Sequence, residues 1–246
     1  MKAVGFDLVG TLCRAGTRED DCIHELYLEL CRSGVSVPCQ EFLEAYNRIA
    51  LMYLEIRKTT YREVSNRVWI AEALKTLGLN LDKDDEVTRK AADAYFRPYV
   101  ERIQVPKYVA PILSDIGRNF KIGLITNFTY APAIRDILQR NDLAKSFDSI
   151  VISDEVGWRK PHPNIFKEFL DDVSADPLET FFVGDDMRYD IAGAKTIGMR
   201  TILLQSEDTN FTESYYSTLE KQDSTRPDVT LKSLYEVRDY LLSAKI

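Results

Sequence analysis

The distribution of apolar positions changes twice along the chain. Residues 3–8 form a short apolar run interrupted by Asp7, which predicts a buried first strand. From residue 18 to residue 100 the apolar residues recur every three or four positions, which predicts amphipathic helices. Beyond residue 105, short apolar runs alternate with helical segments. The chain therefore combines a helical stretch with a region in which strands and helices alternate.

Four helices are predicted in the helical stretch. Their sequences are EDDCIHELYLELCRSG, PCQEFLEAYNRIALMYLEI, EVSNRVWIAEALKTLG and DDEVTRKAADAYF. Gly34 and Gly78 are expected to end the first and third helices. The fourth is expected to end before Pro98, because proline lacks a backbone donor and clashes with the preceding turn. Joined by short loops, the four helices would form a small bundle.

The second half of the chain predicts a parallel sheet. Its expected strands are KIGLIT, FDSIVIS, TFFVG and RTILLQ, followed by a last short strand and the helix LKSLYEVRDYLLSA. Because parallel strands need right-handed crossovers, these strands and residues 3–8 are expected to form one α/β core, a doubly wound parallel, Rossmann-like sheet. Ligands should bind at its carboxyl edge. Residues 206–227 are polar and aperiodic, which predicts an exposed loop.

Composition and charge exclude several classes of function. The 246 residues are 45% hydrophobic and 29% charged, which is typical of a folded globular chain, and no apolar run is long enough for a membrane helix. The net charge of −7 argues against a nucleic-acid partner, whereas a small anionic substrate can still be held by local charge. The four cysteines match no zinc spacing and are expected to be reduced thiols in the cytoplasm, with a disulfide between two of them as the alternative in a hyperthermophile.

Polar residues follow each predicted strand. In chain order they are Asp7 with Thr11, Thr126 with Asn127, Asp154, and Asp185 with Asp186. Because the carboxyl ends of parallel strands share one edge, we expect these side chains to lie together. Buried carboxylates are costly without a cation, and oxygen ligands of this kind suit Mg²⁺. Lys160 precedes Pro161 in a proline-stiffened loop that would fix the direction of its ammonium group.

Four segments resemble, in order and spacing, the signature motifs of the haloacid dehalogenase (HAD) superfamily. They are DLVGT, LITNF, RKPHPNIF and VGDDMRYDIAGAKTIGM. The resemblance spans residues 3–205. It implies a core domain of residues 1–13 and 101–246, with an inserted all-helical cap domain of residues 14–100.

The resemblance also implies roles for individual residues. Asp7 resembles the nucleophile, Thr126 the hydroxyl that binds the transferring group, and Lys160 the cation that restrains the charges of both. The implied metal is Mg²⁺, with ligands from Asp7, the backbone carbonyl of Val9, Asp185 and Asp186. The predicted substrate-binding residues are Gly10, Thr11, Asn127 and Arg48. Arg48 resembles the cap arginine that binds a haloacid carboxylate, and the alternatives are that it binds a remote anion of a phosphate ester or is a solvated helix residue.

Val9 departs from the pattern of the family's phosphatases, in which an Asp at this position protonates the leaving group. Losing a positioned acid–base group typically costs ~10²–10⁴ in rate. One interpretation is a Mg²⁺-dependent phosphatase that acts on a small phosphorylated metabolite through an aspartyl phosphate. The alternative is a metal-independent 2-haloacid dehalogenase, because a halide leaves without a proton. Asp185 and Asp186 favour the phosphatase, since those dehalogenases usually carry Ser and Asn there. A third hypothesis is a non-catalytic protein that binds a phosphorylated ligand.

Overall fold

The sheet predicted from the sequence is present. A computed structural model describes residues 1–16, 19–205 and 226–243. Within them, six parallel strands form one sheet in the order β3-β2-β1-β4-β5-β6. The strands are β1 (Ala3–Phe6), β2 (Lys121–Thr126), β3 (Ser149–Ile152), β4 (Thr180–Gly184), β5 (Arg200–Leu204) and β6 (Val229–Leu231). The order reverses at β1, so the crevice at a switch point of the sheet opens beside the first strand.

Helices lie on both faces of this sheet and in a long insertion after β1. They are α1 (Glu19–Arg32), α2 (Cys39–Thr60), α3 (Asn66–Thr76), α4 (Glu86–Arg102), α5 (Val109–Gly117), α6 (Ala131–Arg140), α7 (Ser153–Val156), α8 (Pro163–Val173), α9 (Gly193–Thr196) and α10 (Leu234–Ser243). A π-helical turn covers Met187–Ala192. In the insertion, α1 packs against α4 and α2 packs against α3. None of the described helices has the length and apolar content needed to cross a membrane.

The central strands are apolar on both faces because helices cover both sides. β1 and β4 are buried along their whole length. On one face α8 packs closely, with the rings of Phe166 and Phe182 edge to face at 5.2 Å. A side chain at Gly123 in β2 would approach the ring of Phe169 to 2.1 Å, so only glycine lets α8 lie this close. The other face packs against α5 and α10.

The prediction that the fourth helix ends before Pro98 is wrong, because α4 continues through this proline to Arg102. Proline inside a helix typically costs about 3 kcal/mol. Pro98 itself is buried, as are Phe96 and Val100 on the same turn. Burial of these side chains offsets the missing backbone hydrogen bond, so tertiary packing overrides the local preference.

The remaining predicted elements agree closely with the structure. KIGLIT and TFFVG coincide with β2 and β4, and the last short strand is β6. Of the predicted loop at 206–227, residues 206–225 lie outside the described residues. The chain leaves and re-enters the core side by side, because the backbones of Arg14 and Gln104 form two hydrogen bonds of 2.9 Å. The division into a core and a cap remains a prediction.

Candidate active site

Asp7 stands at the carboxyl end of the central strand β1. Its backbone N–H donates to the carbonyl of Val183 in β4 at 2.9 Å, which fixes the end of the strand. The chain then turns sharply, because the N–H groups of Leu12 and Cys13 both donate to the carbonyl of Leu8. The side chain of Asp7 is 11% exposed. The fold therefore holds one carboxylate, nearly buried, at the edge where parallel sheets bind ligands.

Lys160 is the cation paired with this carboxylate. Its Nζ lies 2.5 Å from Oδ1 of Asp7 and 2.7 Å from Oδ1 of Asp190, and the side chain is 2% exposed. The amide of Asn127 holds the backbone of Lys160 from both sides. Its Oδ1 accepts from the lysine N–H at 2.7 Å, and its Nδ2 donates to the lysine carbonyl at 3.1 Å. Asn127, which was predicted to bind substrate, thus fixes the loop that carries the lysine.

Asp185 faces Asp7 from the neighbouring strand end. Its Oδ1 accepts a hydrogen bond of 3.1 Å from the hydroxyl of Thr11. Gly10 has a φ of 101°, in the region that favours glycine, and a Cβ there would lie 2.3 Å from Oδ2 of Asp185. The predicted residues Gly10 and Thr11 therefore shape and bind the carboxylate of Asp185.

Asp190, which the sequence analysis does not single out, completes the acidic cluster. Oxygens of Asp7, Asp185 and Asp190 all lie within 4.8 Å of one another. Asp190 is on the π-helical turn, and its Oδ2 accepts from the backbone N–H of Asp186 at 3.0 Å. The available signal was its position as the third acid of VGDDMRYD, close enough in sequence to return to the strand end.

Asp186 has a different environment from its neighbour Asp185. Its Oδ1 caps the π-helical turn by accepting from the N–H groups of Arg188 and Tyr189, both at 2.8 Å. Both bonds end on the same oxygen. The geometry does not test whether the other oxygen binds a metal, so this role of Asp186 remains a prediction.

The other residues singled out in the sequence have different environments in the structure. Thr126 is buried at the end of β2. Val9 is half-buried, packs against the main core and forms a backbone bridge with Cys13. Asp154 accepts from the N–H of Ala131 at 2.8 Å and so binds the start of α6. Arg48 is exposed on α2, and among the described residues no hydrogen bond or ion pair connects it with Asp7, Asp185 or Asp190.

Burial and mutual repulsion shift the ionisation of the cluster. Burial raises the pKa of Asp7 to about 6, although the nearby Lys160 acts against the shift. Burial, followed by the charges of Asp7 and Asp190, raises the pKa of Asp185 to about 8. Burial alone would lower the pKa of Lys160, but the charges and hydrogen bonds of Asp190 and Asp7 together raise it above its usual range. In the absence of a cation, Asp7 and Asp185 therefore keep their protons to a higher pH than an ordinary aspartate, because the three carboxylates together would carry more negative charge than the one lysine balances.

Residues 1–198 match the sequence pattern of the haloacid dehalogenase-like hydrolases. The chain belongs to this family. It is therefore a hydrolase, and the four motifs recognised in its sequence are those of the HAD superfamily.

Curated relatives of this HAD-like hydrolase include two archaeal phosphatases. It is 40% identical over 99 residues to the glyceraldehyde 3-phosphate phosphatase of Pyrococcus furiosus, a match that covers 40% of this chain and 41% of the relative. It is 35% identical over 104 residues to the enzyme of the same name from Pyrococcus abyssi, with 42% of each chain covered. The chain thus spans less than half the length of these two relatives.

Solved structures share the fold over nearly the whole chain. A 2-haloacid dehalogenase from Pseudomonas syringae has a TM-score of 0.69 and 25% identity, with 99% of this chain and 98% of that chain covered. A HAD phosphatase from Thermococcus onnurineus has a TM-score of 0.62 and 23% identity, with both chains covered completely. Since these neighbours are named for different reactions, the likeness shows the fold and does not decide the leaving group.

Proposed function

We propose that this HAD-like hydrolase is a Mg²⁺-dependent phosphatase that cleaves a small phosphorylated metabolite through an aspartyl phosphate on Asp7. The observation that carries the proposal is the cluster of Asp7, Asp185 and Asp190 around Lys160. When ionised, its three carboxylates exceed the charge of the one ammonium by two, and a divalent cation that prefers oxygen ligands fits this donor set. Asp7, Asp185 and the Val9 carbonyl are the proposed ligands, with Asp190 beside them. Bound Mg²⁺ would polarise the phosphoryl group and offset its charge.

The side chains of the site support nucleophilic attack by Asp7. Lys160 holds Oδ1 of the carboxylate at 2.5 Å, which orients it and offsets the repulsion between two anions. As an oxygen of Asp7 bonds to phosphorus, the bond from phosphorus to the leaving oxygen breaks. Thr126 is placed at the end of the adjacent strand β2, where its hydroxyl can donate to a phosphoryl oxygen. Water then hydrolyses the aspartyl phosphate, which frees Asp7 and releases phosphate.

Val9 limits the class of substrate that this site handles well. A valine two residues after the nucleophile cannot give a proton to a departing alkoxide. Acyl and aryl phosphates have leaving groups that are weak bases, and such groups depart without that proton. We therefore propose that the preferred substrates are phosphates with a stable leaving anion. The insertion of α1 to α4 would act as a cap that excludes water and selects the leaving group.

A panel of phosphorylated metabolites and 2-haloacids, assayed with Mg²⁺ and with EDTA, tests the proposal. We expect phosphate release that requires Mg²⁺ and is faster on acetyl phosphate or p-nitrophenyl phosphate than on alkyl phosphates. Halide release that persists in EDTA would contradict the proposal and support the dehalogenase. Ligand-dependent thermal stabilisation without release of phosphate or halide would instead support the non-catalytic binder.

A further inference from the structure

The helical insertion contacts the core at a second place, away from the paired linkers at Arg14 and Gln104. Residues 61–63, in the connection between α2 and α3, run antiparallel to residues 157–159 of the core. The N–H of Arg159 donates to the carbonyl of Tyr61 at 3.0 Å, and the N–H of Glu63 donates to the carbonyl of Gly157 at 3.1 Å. This core segment leads directly into Lys160. The insertion therefore pairs with the loop that carries the lysine of the site.

Glu63 places a fully buried carboxylate in this contact. Its Oε2 accepts from the hydroxyl of Ser153 at 2.7 Å and from Nη1 of Arg159 at 2.8 Å, and its side chain is 0% exposed. Its Oε1 lies 3.7 Å from Nη1 of Arg57 in the insertion. A buried carboxylate is costly unless it is paired and hydrogen-bonded, and two of the groups that satisfy Glu63 belong to the core. Glu63 is thus fully satisfied only while the insertion is docked.

The two core partners of Glu63 are each connected to a segment that positions Lys160. Arg159 immediately precedes Lys160 in sequence, and Ser153 is the first residue of α7. Ser153 also accepts, on its hydroxyl oxygen, a 2.8 Å bond from the N–H of Phe128. Phe128 follows Asn127, whose amide holds both backbone groups of Lys160. The carboxylate of Glu63 therefore connects the end of β2 with the lysine loop at a point outside the reacting groups.

We propose that Glu63 is a positioning residue, through which docking of the insertion sets Lys160 against Asp7. The inference rests on the proposed function of the same site. When the insertion is docked, Glu63 holds both loops and the lysine has one position. When Glu63 is lost, the two loops separate from each other and Lys160 shifts. A displacement of about 1 Å in a reacting group can cost about 10²-fold in rate.

The first test compares Glu63→Gln with a matched control in the insertion. Glu63→Gln keeps the size of the side chain but removes the charge that pairs with Arg159. Glu72→Gln is the control, because Glu72 bonds Tyr53 at 2.8 Å within the insertion. With p-nitrophenyl phosphate and Mg²⁺, we expect Glu63→Gln to lower kcat at least about 10-fold with a smaller change in KM, and Glu72→Gln to change kcat less than about twofold. Equal kcat values for the two variants would overturn the inference.

A double variant separates positioning from stability. Glu63→Gln with Arg159→Gln removes both charges of the ion pair, so the melting temperature should recover toward that of the wild type relative to Glu63→Gln alone. If Glu63 positions the lysine loop, kcat stays low in the double variant. Recovery of kcat together with the melting temperature would show that Glu63 only stabilises the interface, and would overturn the inference.

Hydrogen exchange provides a readout that does not depend on catalysis. We expect Glu63→Gln to increase amide exchange at residues 127–129 and 157–160, with no such increase in Glu72→Gln. Unchanged exchange in both loops overturns the inference, whatever the protein hydrolyses. A wild type that releases no phosphate contradicts the proposed function only, and exchange still decides on Glu63. If Glu63→Gln does not fold, Ser153→Ala takes its place, and wild-type exchange in that variant would equally overturn the inference.

Discussion

At the scale of single residues, the site combines a firmly held carboxylate, the proposed nucleophile, with a valine that cannot transfer protons. The backbone of Asp7 is held at the end of β1 by its hydrogen bond to β4, and its carboxylate is held by Lys160. Val9, on the turn that follows, packs its side chain half-buried against the core. In the proposed reaction, the first step is attack on phosphorus, and it would depend on Asp7 and Lys160. The departure of the leaving group depends on what stands at position 9.

Asp7→Asn should abolish hydrolysis while the protein stays folded. The substitution keeps the volume of the side chain but removes the nucleophilic oxygen anion. It also removes a repulsive negative charge from a buried cluster, so the melting temperature in EDTA should not fall. Release of phosphate or halide and thermal unfolding are the two measurements. Turnover by a folded Asp7→Asn protein would exclude Asp7 as the nucleophile.

Val9→Asp should raise activity on alkyl phosphates by ~10-fold or more, because it supplies an acid that can protonate the leaving oxygen. The gain should be smaller on p-nitrophenyl or acetyl phosphate, whose leaving groups depart unaided. Rates are compared with Mg²⁺ saturating, since another acid beside Asp7 destabilises the metal-free form.

Val9→Asn is the matched control for this experiment. Asn has nearly the same size as Asp and is also polar, but it cannot transfer a proton. The rates of Val9→Asn on alkyl phosphates should therefore stay near those of the wild type. An equal gain in both variants would assign the effect to polarity. If Val9→Asp binds Mg²⁺ normally and gains nothing, the missing acid does not limit the site.

At the scale of elements, the sequence predicts what local pattern determines and fails where tertiary contacts decide. β2 and β4 were predicted to the residue, because their apolar runs are bounded by polar residues and turns. The predicted fourth helix stops before Pro98, whereas α4 continues to Arg102, since no local pattern reveals the burial of that turn. Asp190 was missed because the π-helical turn that returns it to Lys160 has no recognised sequence signal. Glu63 is not recognisable from the sequence because its partners in the core are distant along the chain.

The capping of the π-helical turn distinguishes two acids of the fourth motif. Asp186→Asn should keep a side-chain oxygen that caps the turn and should lower activity by less than Asp190→Asn. Asp190→Asn removes the negative charge that pairs with Lys160, and both side chains of this pair are buried. The loss of activity should therefore be larger. Asp186→Ala, which removes the cap itself, should destabilise the protein by ~1 kcal/mol.

The measurements for these variants are kcat/KM, the melting temperature and the shift of that temperature by Mg²⁺. Asp186→Asn is expected to retain the Mg²⁺-dependent shift. If it loses the shift as fully as Asp185→Asn does, then Asp186 binds the metal through its second oxygen, as the sequence predicted.

At the scale of the whole molecule, one fold holds two separate kinds of charge arrangement. The whole chain carries a net charge of −7, whereas the site concentrates three carboxylates and a lysine at one sheet edge. The same fold appears in proteins named for phosphate and for halide chemistry, so the fold alone leaves the reaction open. The excess negative charge of the ionised cluster is the feature on which our proposal of a metal-dependent phosphatase rests. It also makes a prediction about the stability of the entire protein.

The metal-free protein should lose stability as pH rises from about 4 to about 8. The ordinary pKa of an aspartate is 3.8, and the folded protein raises that of Asp7 to about 6 and that of Asp185 to about 8. Between these values the folded state binds more protons than the unfolded state. The free energy of unfolding therefore falls with rising pH until both groups are ionised. A cation competes with the same protons, so stabilisation by Mg²⁺ should increase over the same range.

Thermal unfolding in EDTA and in saturating Mg²⁺, at about pH 5 and about pH 8.5, measures both effects. Asp185→Asn is the control, because it removes the carboxylate with the larger shift and should weaken both trends. A melting temperature in EDTA that is independent of pH in the wild type, or a Mg²⁺ shift of equal size at both pH values, would contradict the assignment of this cluster as a cation site.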